Sequence, residues 1–349
     1  MLCKKIFSSF LLIILSFALS GCSLSLSPQN NNSTGAVVGG GVYKSTDKGL
    51  VWEAKNNFPD VGKAKLNIKK IRFGINNPKI IFASSNIGLY FTEDRGDNWK
   101  LLIPGKDISD FVLNPKTKSV LYVASGNQVF KTSDTGANWD LVYTEVRPNI
   151  VIKSLAVDHF DTSRVYCLLN DGQLLLSLDW GNSWKPLYNF EKSSARIIAD
   201  PYHNKNLYTA AEGGLYHSSD GGASWQEVVA AKNNDYPGVN IFKDLVFLNK
   251  EGGLMYLSRY GLLVSRDSGA NWTPLQLVSP PNSVDIEVFD YNPKDPNEIY
   301  YILNDILYHT IDGGRNWQTK VLPSSGKYHA SGILVDPSDP NTLYLSLTQ

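Results

Sequence analysis

Short runs of aromatic and β-branched residues recur along the whole chain and alternate with clusters of Asp, Asn, Gly and Pro. Gly88–Phe91 and Lys100–Ile103 are two such runs, and an Asp/Gly cluster separates them. Apolar runs on both sides of a turn-forming cluster are typical of a β-hairpin. The pattern therefore predicts a chain built mainly from β-strands.

One motif, Ser/Thr-x-Asp-x-Gly-x-x-Trp, occupies the cluster of each hairpin and occurs seven times. We call it the turn motif; its first copy is Ser45–Trp52, and its aspartates follow one another at intervals of 40 to 47 residues. Repeats of this length are single supersecondary units that bury their apolar faces by stacking on each other. The aspartates are Asp47, Asp94, Asp134, Asp179, Asp220, Asp267 and Asp312. The tryptophans are Trp52, Trp99, Trp139, Trp184, Trp225, Trp272 and Trp317.

Each residue type in the turn motif has a role in folding. The Asp carboxylate accepts hydrogen bonds from backbone N–H groups two or three residues later, and the Gly supplies a positive φ. The Trp is a large apolar plate suited to packing between neighbouring sheets. We therefore interpret these residues as structural rather than as a set of cation ligands. Two interpretations of Trp180, inside the fourth copy, remain open. Its side chain is either an exposed anchor for a partner or a cover over the neighbouring turn.

Two further strands precede each hairpin, so one unit comprises four antiparallel strands. The first often ends near Asn-Pro or Asp-Pro, as at Ile71–Phe73 and Ile333–Val335. Residues 332–349 supply two strands and residues 39–56 supply the other two of one unit. The prediction is an all-β fold: a seven-bladed β-propeller of four-stranded antiparallel blades, closed by a composite blade from both termini.

The turn motif, the Asn/Asp-Pro pattern and the Gly-Leu-Tyr runs resemble the BNR or Asp-box repeat over about residues 39–349. The chain is similar to the propellers of photosystem II assembly factors, sortilin, sialidases and the glycoside hydrolases of family 74. Blade number and size are nearest to the assembly-factor type. The resemblance implies a propeller, but propellers of this kind serve unrelated functions.

The N-terminal residues are predicted to direct the protein to the cell envelope. Residues 1–21 combine Lys4 and Lys5 with an apolar segment, which is typical of a secretory signal. The ending Leu19–Cys22 resembles a bacterial lipobox, which implies cleavage before Cys22 and its lipidation. Residues 22–38 are rich in Ser and Asn and are predicted to form a flexible tether. We expect a lipid-anchored, extracytoplasmic protein at the outer membrane or cell surface.

Charge and motif content exclude several functions. The formal net charge is +0, which argues against nucleic acid as a partner. No His pair has metal-ligand spacing, and phosphate-binding and dinucleotide-binding motifs are missing, so we expect no metal and no cofactor. A sialidase is disfavoured because the chain contains no Arg-Ile-Pro.

The face of the ring that carries the loops between blades is the expected ligand face. Charged residues near the starts of the inner strands are candidates for a polar ligand site there. They are Lys70, Asp110, Lys153, Arg196, Lys243, Asp244 and Glu287. Asp110, Asp244 and Glu287 are weak candidates for a catalytic carboxylate pair of the kind that glycosidases use.

Three functional hypotheses remain. The first is a non-catalytic scaffold that binds a protein or peptide and assembles or stabilises a membrane complex. The alternative is a carbohydrate-binding propeller or a glycoside hydrolase, supported by loop aromatics such as Tyr188 and Phe190. A purely structural envelope protein is a third option.

Overall fold

The computed structural model describes residues 39–59, 66–230, 236–248, 252–324 and 326–349. These residues form seven four-stranded antiparallel sheets, arranged as the blades of a β-propeller, and no helix occurs among them. The fold prediction is therefore confirmed. The predicted signal, the tether and the lipidated Cys22 lie outside the described residues.

In every blade the first strand of the unit lies next to the channel and the fourth strand lies outermost. Blades 1 to 6 are numbered in chain order. The inner strands are β3 (Ile68–Gly74), β7 (Asp110–Leu113), β11 (Ile152–Val157), β15 (Ser194–Ala199), β19 (Phe242–Phe247), β23 (Val288–Asn292) and β27 (His329–Val335). The second strands are β4 (Asn77–Ser85), β8 (Leu121–Ser125), β12 (Val165–Leu169), β16 (Leu207–Ala211), β20 (Leu254–Ser258), β24 (Asp295–Leu303) and β28 (Leu343–Thr348).

The outer two strands of each blade form the hairpin that contains the turn motif. The third strands are β1 (Gly41–Ser45), β5 (Gly88–Thr92), β9 (Gln128–Thr132), β13 (Gln173–Ser177), β17 (Gly214–Ser218), β21 (Gly261–Ser265) and β25 (Ile306–Thr310). The fourth strands are β2 (Glu53–Ala54), β6 (Lys100–Pro104), β10 (Asp140–Thr144), β14 (Lys185–Asn189), β18 (Gln226–Ala230), β22 (Thr273–Pro274) and β26 (Gln318–Val321).

Blade 7 is the predicted composite, with the strand order β2-β1-β28-β27. Its central pairing joins the two ends of the chain, with Val42 opposite Ser346 and Tyr43 opposite Leu345. Strands from the N-terminal and C-terminal segments are thus hydrogen-bonded neighbours. The ring closes through main-chain hydrogen bonds.

The core of the propeller lies between blades. Seven clusters of buried apolar side chains occur in the described residues, and each one combines two neighbouring blades. One cluster joins Val42 and Tyr344 of blade 7 to Ile68 and Tyr90 of blade 1. The apolar faces of the sheets are therefore covered by stacking around the whole ring.

The turn motif forms a hydrogen-bonded loop that repeats from blade to blade. In blade 4, the Ser218 hydroxyl accepts from the Gly222 N–H (2.8 Å) and donates to Asp220 Oδ1 (2.8 Å). Asp220 in turn accepts from the backbone N–H and the hydroxyl of Ser224, four residues later. The carboxylate thus reaches slightly further along the chain than the sequence analysis expected.

The motif tryptophans pack between blades. Each one contacts the apolar cluster shared with the preceding blade, and Trp139 also donates its indole N–H to the Leu102 carbonyl of blade 1 (3.0 Å). Trp184 and Trp225 instead donate to the glycine carbonyls of their own motifs, Gly181 and Gly222. Trp139, Trp184 and Trp225 thus combine a large apolar contact with a satisfied indole N–H, whereas the buried indole N–H groups of Trp52 and Trp272 have no partner among the described residues.

Trp180 is held in the left-handed region with φ 58, and its side chain is 50% exposed. The equivalent position is Gly221 in blade 4 and Gly313 in blade 6, both also at positive φ. The Trp180 carbonyl accepts from the Tyr122 hydroxyl of blade 2 (2.9 Å), and its N–H donates to the Ser163 carbonyl (3.0 Å). The backbone of Trp180 therefore links blades while its ring faces solvent.

Candidate functional site

The inner strands present equivalent positions to the channel, because all seven pair with their second strands in a similar register. We call the side with the loops between blades the loop face and the side with the turn motifs the motif face. Near the loop face, the residues at one equivalent position of the seven inner strands form a layer, which we call the channel layer. It contains Lys70, Asp110, Ser154, Arg196, Asp244, Val288 and Gly332.

Asp110 is buried and hydrogen-bonded on both carboxylate oxygens. Oδ1 accepts from Lys70 Nζ (2.5 Å) and the Phe111 N–H (2.9 Å), and Oδ2 accepts from the Ser154 hydroxyl and the Leu155 N–H (both 2.9 Å). Burial opposes its charge, but Lys70 and the nearby Arg72 outweigh that and hold the pKa of Asp110 at about 2. A carboxylate so occupied links three blades and is poorly suited to proton transfer.

The pKa values of two cations near Asp110 are lowered as well, which in a base disfavours the charged form. Burial, together with repulsion from the guanidinium of Arg72, lowers the pKa of Lys70 to about 7. Burial and Arg72 likewise lower the pKa of Arg196 to about 10. The inner strands of blades 1 to 5 thus carry more partly buried positive charge than their carboxylates balance.

Arg196 forms an ion pair with Asp244 Oδ1 of the next blade. Asp244 also accepts a hydrogen bond from the Leu245 N–H (2.8 Å). Glu287, on the loop before β23, accepts from the Asn304 N–H (3.2 Å) and from the Ala330 N–H of blade 7 (2.6 Å). Both carboxylates therefore contribute contacts that join the inner parts of neighbouring blades.

Lys153 and Lys243 lie one residue before the channel layer, where a register shift interrupts the pairing of β11 and β19. Lys243 is paired with Asp285 (2.9 Å), whereas Lys153 is exposed. Lys153 lines a groove of about 520 Å³ on the loop face of blades 3 to 5. We call this the loop-face groove; it is also lined by Ser193, Ser194, Ala195, Ala210, Ala211, Glu212, Asn240, Ile241 and Phe242.

The predicted site residues therefore fall into separate groups. Lys70 contacts Asp110, and Arg196 contacts Asp244, but Glu287 and Lys243 make their contacts elsewhere on the ring. The loop aromatics Tyr188 and Phe190 pack against Trp225 between blades 3 and 4, so their rings contribute to the core rather than to an open surface.

Asp290 was missed by the sequence analysis. It lies on β23, one layer nearer the motif face, and accepts hydrogen bonds from the Tyr291 N–H (2.9 Å) and the Val335 N–H (2.8 Å). Burial raises its pKa to about 7, since those two hydrogen bonds do not compensate for lost solvation. Its position between Phe289 and Tyr291, in an apolar inner strand, was the available signal.

The described part of the chain contains no cluster of side chains able to hold a metal ion. Within the same ranges, no helix has the length and apolar character needed to cross a membrane.

The chain is similar to a β-propeller domain family and to xyloglucanases. Residues 106–253 match the DUF6242 β-propeller domain. A xyloglucanase from a Paenibacillus species is 26% identical over 251 residues, a match that covers 68% of this chain and 23% of that enzyme. The chain thus spans less than a quarter of the length of this curated relative.

Solved structures agree on the fold. The Niastella koreensis GH74 enzyme matches with a TM-score of 0.65 at 14% identity, covering 88% of this chain and 52% of that one. A structure of YCF48 bound to D1 peptide matches with a TM-score of 0.60 at 17% identity, covering 81% of this chain and 93% of that one. At such identities these neighbours show a shared β-propeller architecture.

These findings correct the first functional hypothesis. The leading interpretation was a non-catalytic scaffold for protein binding or membrane-complex assembly. That interpretation is wrong, because the curated relatives are xyloglucanases. The stated alternative, a carbohydrate-binding propeller or glycoside hydrolase, agrees better with them. The error arose because the turn motif, which carried the resemblance, records the fold and not the ligand.

Proposed function

We propose that this propeller binds a β-linked polysaccharide of the xyloglucan type in the loop-face groove. The observation that carries the proposal is the match to xyloglucanases over 68% of the chain. Ligands of propellers commonly occupy the face with the loops, where side chains from several blades converge. The groove is the described cavity on that face in which blades 3, 4 and 5 meet.

The chemistry of the groove fits a neutral sugar chain. Lys153, Glu212 and Asn240 offer hydrogen-bond donors and acceptors for hydroxyl groups, while Ile241 and Phe242 offer apolar surface for the ring carbons. A volume of about 520 Å³ lies within the usual range for ligand sites. The groove is open at the surface, as the binding of a long polymer requires.

Affinity electrophoresis in gels containing xyloglucan tests this proposal. The protein is expected to be retarded by xyloglucan and not by dextran, an α-linked glucan. Glu212→Ala or Ile241→Ser is expected to weaken binding about fivefold, since each removes roughly 1 kcal/mol of contact.

Val321→Ser is the matched control, because Val321 is 79% exposed on the outer strand of blade 6. Equal migration in xyloglucan and dextran gels would rule the proposal out. If both groove variants were retarded as strongly as the wild-type protein, the binding site would lie outside the groove.

Hydrolysis of the same polymer is a second candidate function, and Asp290 is the observation that favours it. A general acid needs a pKa near the working pH, and burial raises the pKa of Asp290 to about 7, whereas that of Asp110 is held at about 2. Asp290 is on blade 6, however, and the groove is on blades 3 to 5, so the substrate would have to enter the channel. For this reason binding ranks first.

Release of reducing ends from xyloglucan measures hydrolysis directly. Activity is expected to fall at least a hundredfold in Asp290→Asn while retardation in the gel persists. No release by the wild-type protein would end the hydrolytic candidate and leave the binding proposal standing.

We also propose that the turn motifs are Asp-box repeats and that Cys22 is lipidated at the cell envelope. Support comes from the motif sequence and from the Leu19–Cys22 ending. A polysaccharide-binding protein at the cell surface would meet its ligand there.

A further inference from the structure

The motif face of blades 3 and 4 carries three exposed aromatic side chains. Phe160 lies in the loop between β11 and β12, Trp180 lies in the turn motif of blade 3, and Tyr202 lies in the loop between β15 and β16. Their exposed fractions are 42%, 50% and 38%, and every other aromatic side chain of the described ranges is buried or half-buried. We call these three residues the aromatic surface. Exposed apolar groups that are gathered on one face mark interaction sites.

Contacts between the loops hold the three residues on one stretch of the motif face. The Trp180 N–H donates to a carbonyl of the loop that contains Phe160 (3.0 Å). The loops of Phe160 and Tyr202 are neighbours, because the carboxylate of Asp200 is close enough to His159 to act on its charge. The aromatic surface therefore runs from the outer hairpin of blade 3 to the inner part of blade 4.

Folding does not explain why these positions are aromatic. Asp158 Oδ1 accepts from the Phe160 N–H, and Asp200 Oδ1 accepts from the Tyr202 N–H (both 2.7 Å). The equivalent loops of blades 2, 6 and 7 form the same turn with Lys116, Lys294 and Ser338. In the other copies of the turn motif, the position of Trp180 holds Lys48, Arg95, Thr135, Gly221, Ser268 and Gly313. Each turn thus forms without an aromatic ring, and a bulky side chain is unfavourable at the φ of 58 that Trp180 adopts.

The surroundings of the aromatic surface favour an uncharged, hydroxyl-bearing partner. Lys116 Nζ donates to the Phe160 carbonyl (2.5 Å), and the exposed Asp161 follows Phe160 directly. Lys205, in the loop of Tyr202, is also exposed. Because charges of both signs border the rings, neither an anion nor a cation is selected. A pyranose ring fits this setting, since its C–H face packs on an aromatic ring while its hydroxyl groups meet the polar side chains at the border.

We propose that the aromatic surface is a second contact for the same β-linked polysaccharide, with sugar rings stacked on Trp180, Phe160 and Tyr202. The inference rests on the proposed function for the class of ligand. It goes beyond that function in place, because the motif face is opposite the loop-face groove. Two contacts on opposite faces let one molecule engage two polymer segments, which raises the apparent affinity for a polymer above that for a short oligosaccharide.

Affinity electrophoresis in xyloglucan gels tests the aromatic surface with residues that the fold already uses at equivalent positions. Trp180→Gly introduces the residue found in blades 4 and 6, and Tyr202→Ser introduces the residue found in blade 7. Each is expected to weaken binding about fivefold, because each removes one stacked ring. Ile311→Ser is the matched control, since Ile311 is 65% exposed on the motif face of blade 6. It should migrate like the wild-type protein.

Acrylamide quenching of tryptophan fluorescence reports on the aromatic surface independently of the groove. Of the eight tryptophans, Trp180 is the one whose side chain is exposed. Xyloglucan oligosaccharides are expected to reduce quenching in the wild-type protein and in the groove variant Glu212→Ala, but not in Trp180→Gly.

Unchanged quenching, or retardation of Trp180→Gly equal to that of wild type, would overturn the aromatic surface and leave the groove proposal standing. Weakened retardation of Trp180→Gly with full retardation of the groove variants would support the aromatic surface and exclude the groove. Equal migration of the wild-type protein in xyloglucan and dextran gels would overturn both proposals.

Discussion

Removal of Leu343–Gln349 is expected to abolish cooperative folding of the propeller rather than to shorten it. These residues include all of β28, which pairs with β27 on one side and with β1 on the other. Without β28, the N-terminal hairpin has no neighbouring strand, and the apolar faces of blades 6 and 1 lose their cover. Newly exposed sheet edges and apolar faces favour aggregation.

Urea denaturation followed by tryptophan fluorescence measures this effect, and hydrogen exchange locates it. The truncated protein is expected to show no sharp transition and to lose amide protection in β1 and β27 first. A transition with the wild-type midpoint and slope would show that the ring does not depend on blade 7.

Point substitutions provide a matched comparison that keeps the chain length. Leu343 in blade 7 and Leu121 in blade 2 occupy the same position of the second strand, and both are fully buried. Each Leu→Ala change is expected to cost about 3 kcal/mol of unfolding free energy. Of the two variants, only Leu343→Ala is expected to raise the rate of amide hydrogen exchange in β1, because a local opening of blade 7 also opens the ring.

The architecture could be predicted because its signals are local and repeated. One turn motif per blade fixes the number of hairpins, and the phase of the two ends identifies the composite blade. The motif tryptophans pack against the clusters between blades, since an apolar side chain that recurs at each turn has a common place to pack. Such inferences need only the order of residues along the chain.

The site could be predicted only in part, because its geometry depends on contacts between blades. The sequence shows charged positions at the starts of the inner strands. It does not show which residue each of them bonds to or pairs with. Asp110 bonds to Ser154 and Leu155, more than forty residues away, through the stacking of one blade on the next. Register shifts in β11 and β19 decide which lysines remain outside the channel layer, and they have no marker in the sequence.

Asp290 illustrates the same limit and leads to the second large effect. Its carboxyl group would ionise near pH 3.8 in the unfolded chain, whereas burial raises the pKa to about 7 in the folded protein. Between these values the folded protein holds a proton that the unfolded chain has released. Stability is therefore expected to fall as the pH rises from about 4 to about 7, and to remain lower above that range.

Asp290→Asn is expected to remove this dependence, because the amide is neutral at every pH and resembles the protonated acid. Relative to wild type, the variant should gain about 2 to 4 kcal/mol between pH 4 and pH 8, at about 1.4 kcal/mol per pKa unit, reduced for partial exposure. Urea unfolding at several pH values measures the difference. Asp140→Asn, at an exposed position of β10, is the control and should follow wild type throughout.

The sign of the effect distinguishes Asp290 from Asp94. Hydrogen bonds hold the pKa of Asp94 at about 2 against the effect of burial, so its contribution is present above pH 4 and is lost as the pH falls towards 2. Asp290 contributes in the opposite direction and over a higher range. A parallel pH dependence for wild type and Asp290→Asn would mean that this carboxylate is ionised in the folded protein, and would remove the basis for assigning it a proton-donating role.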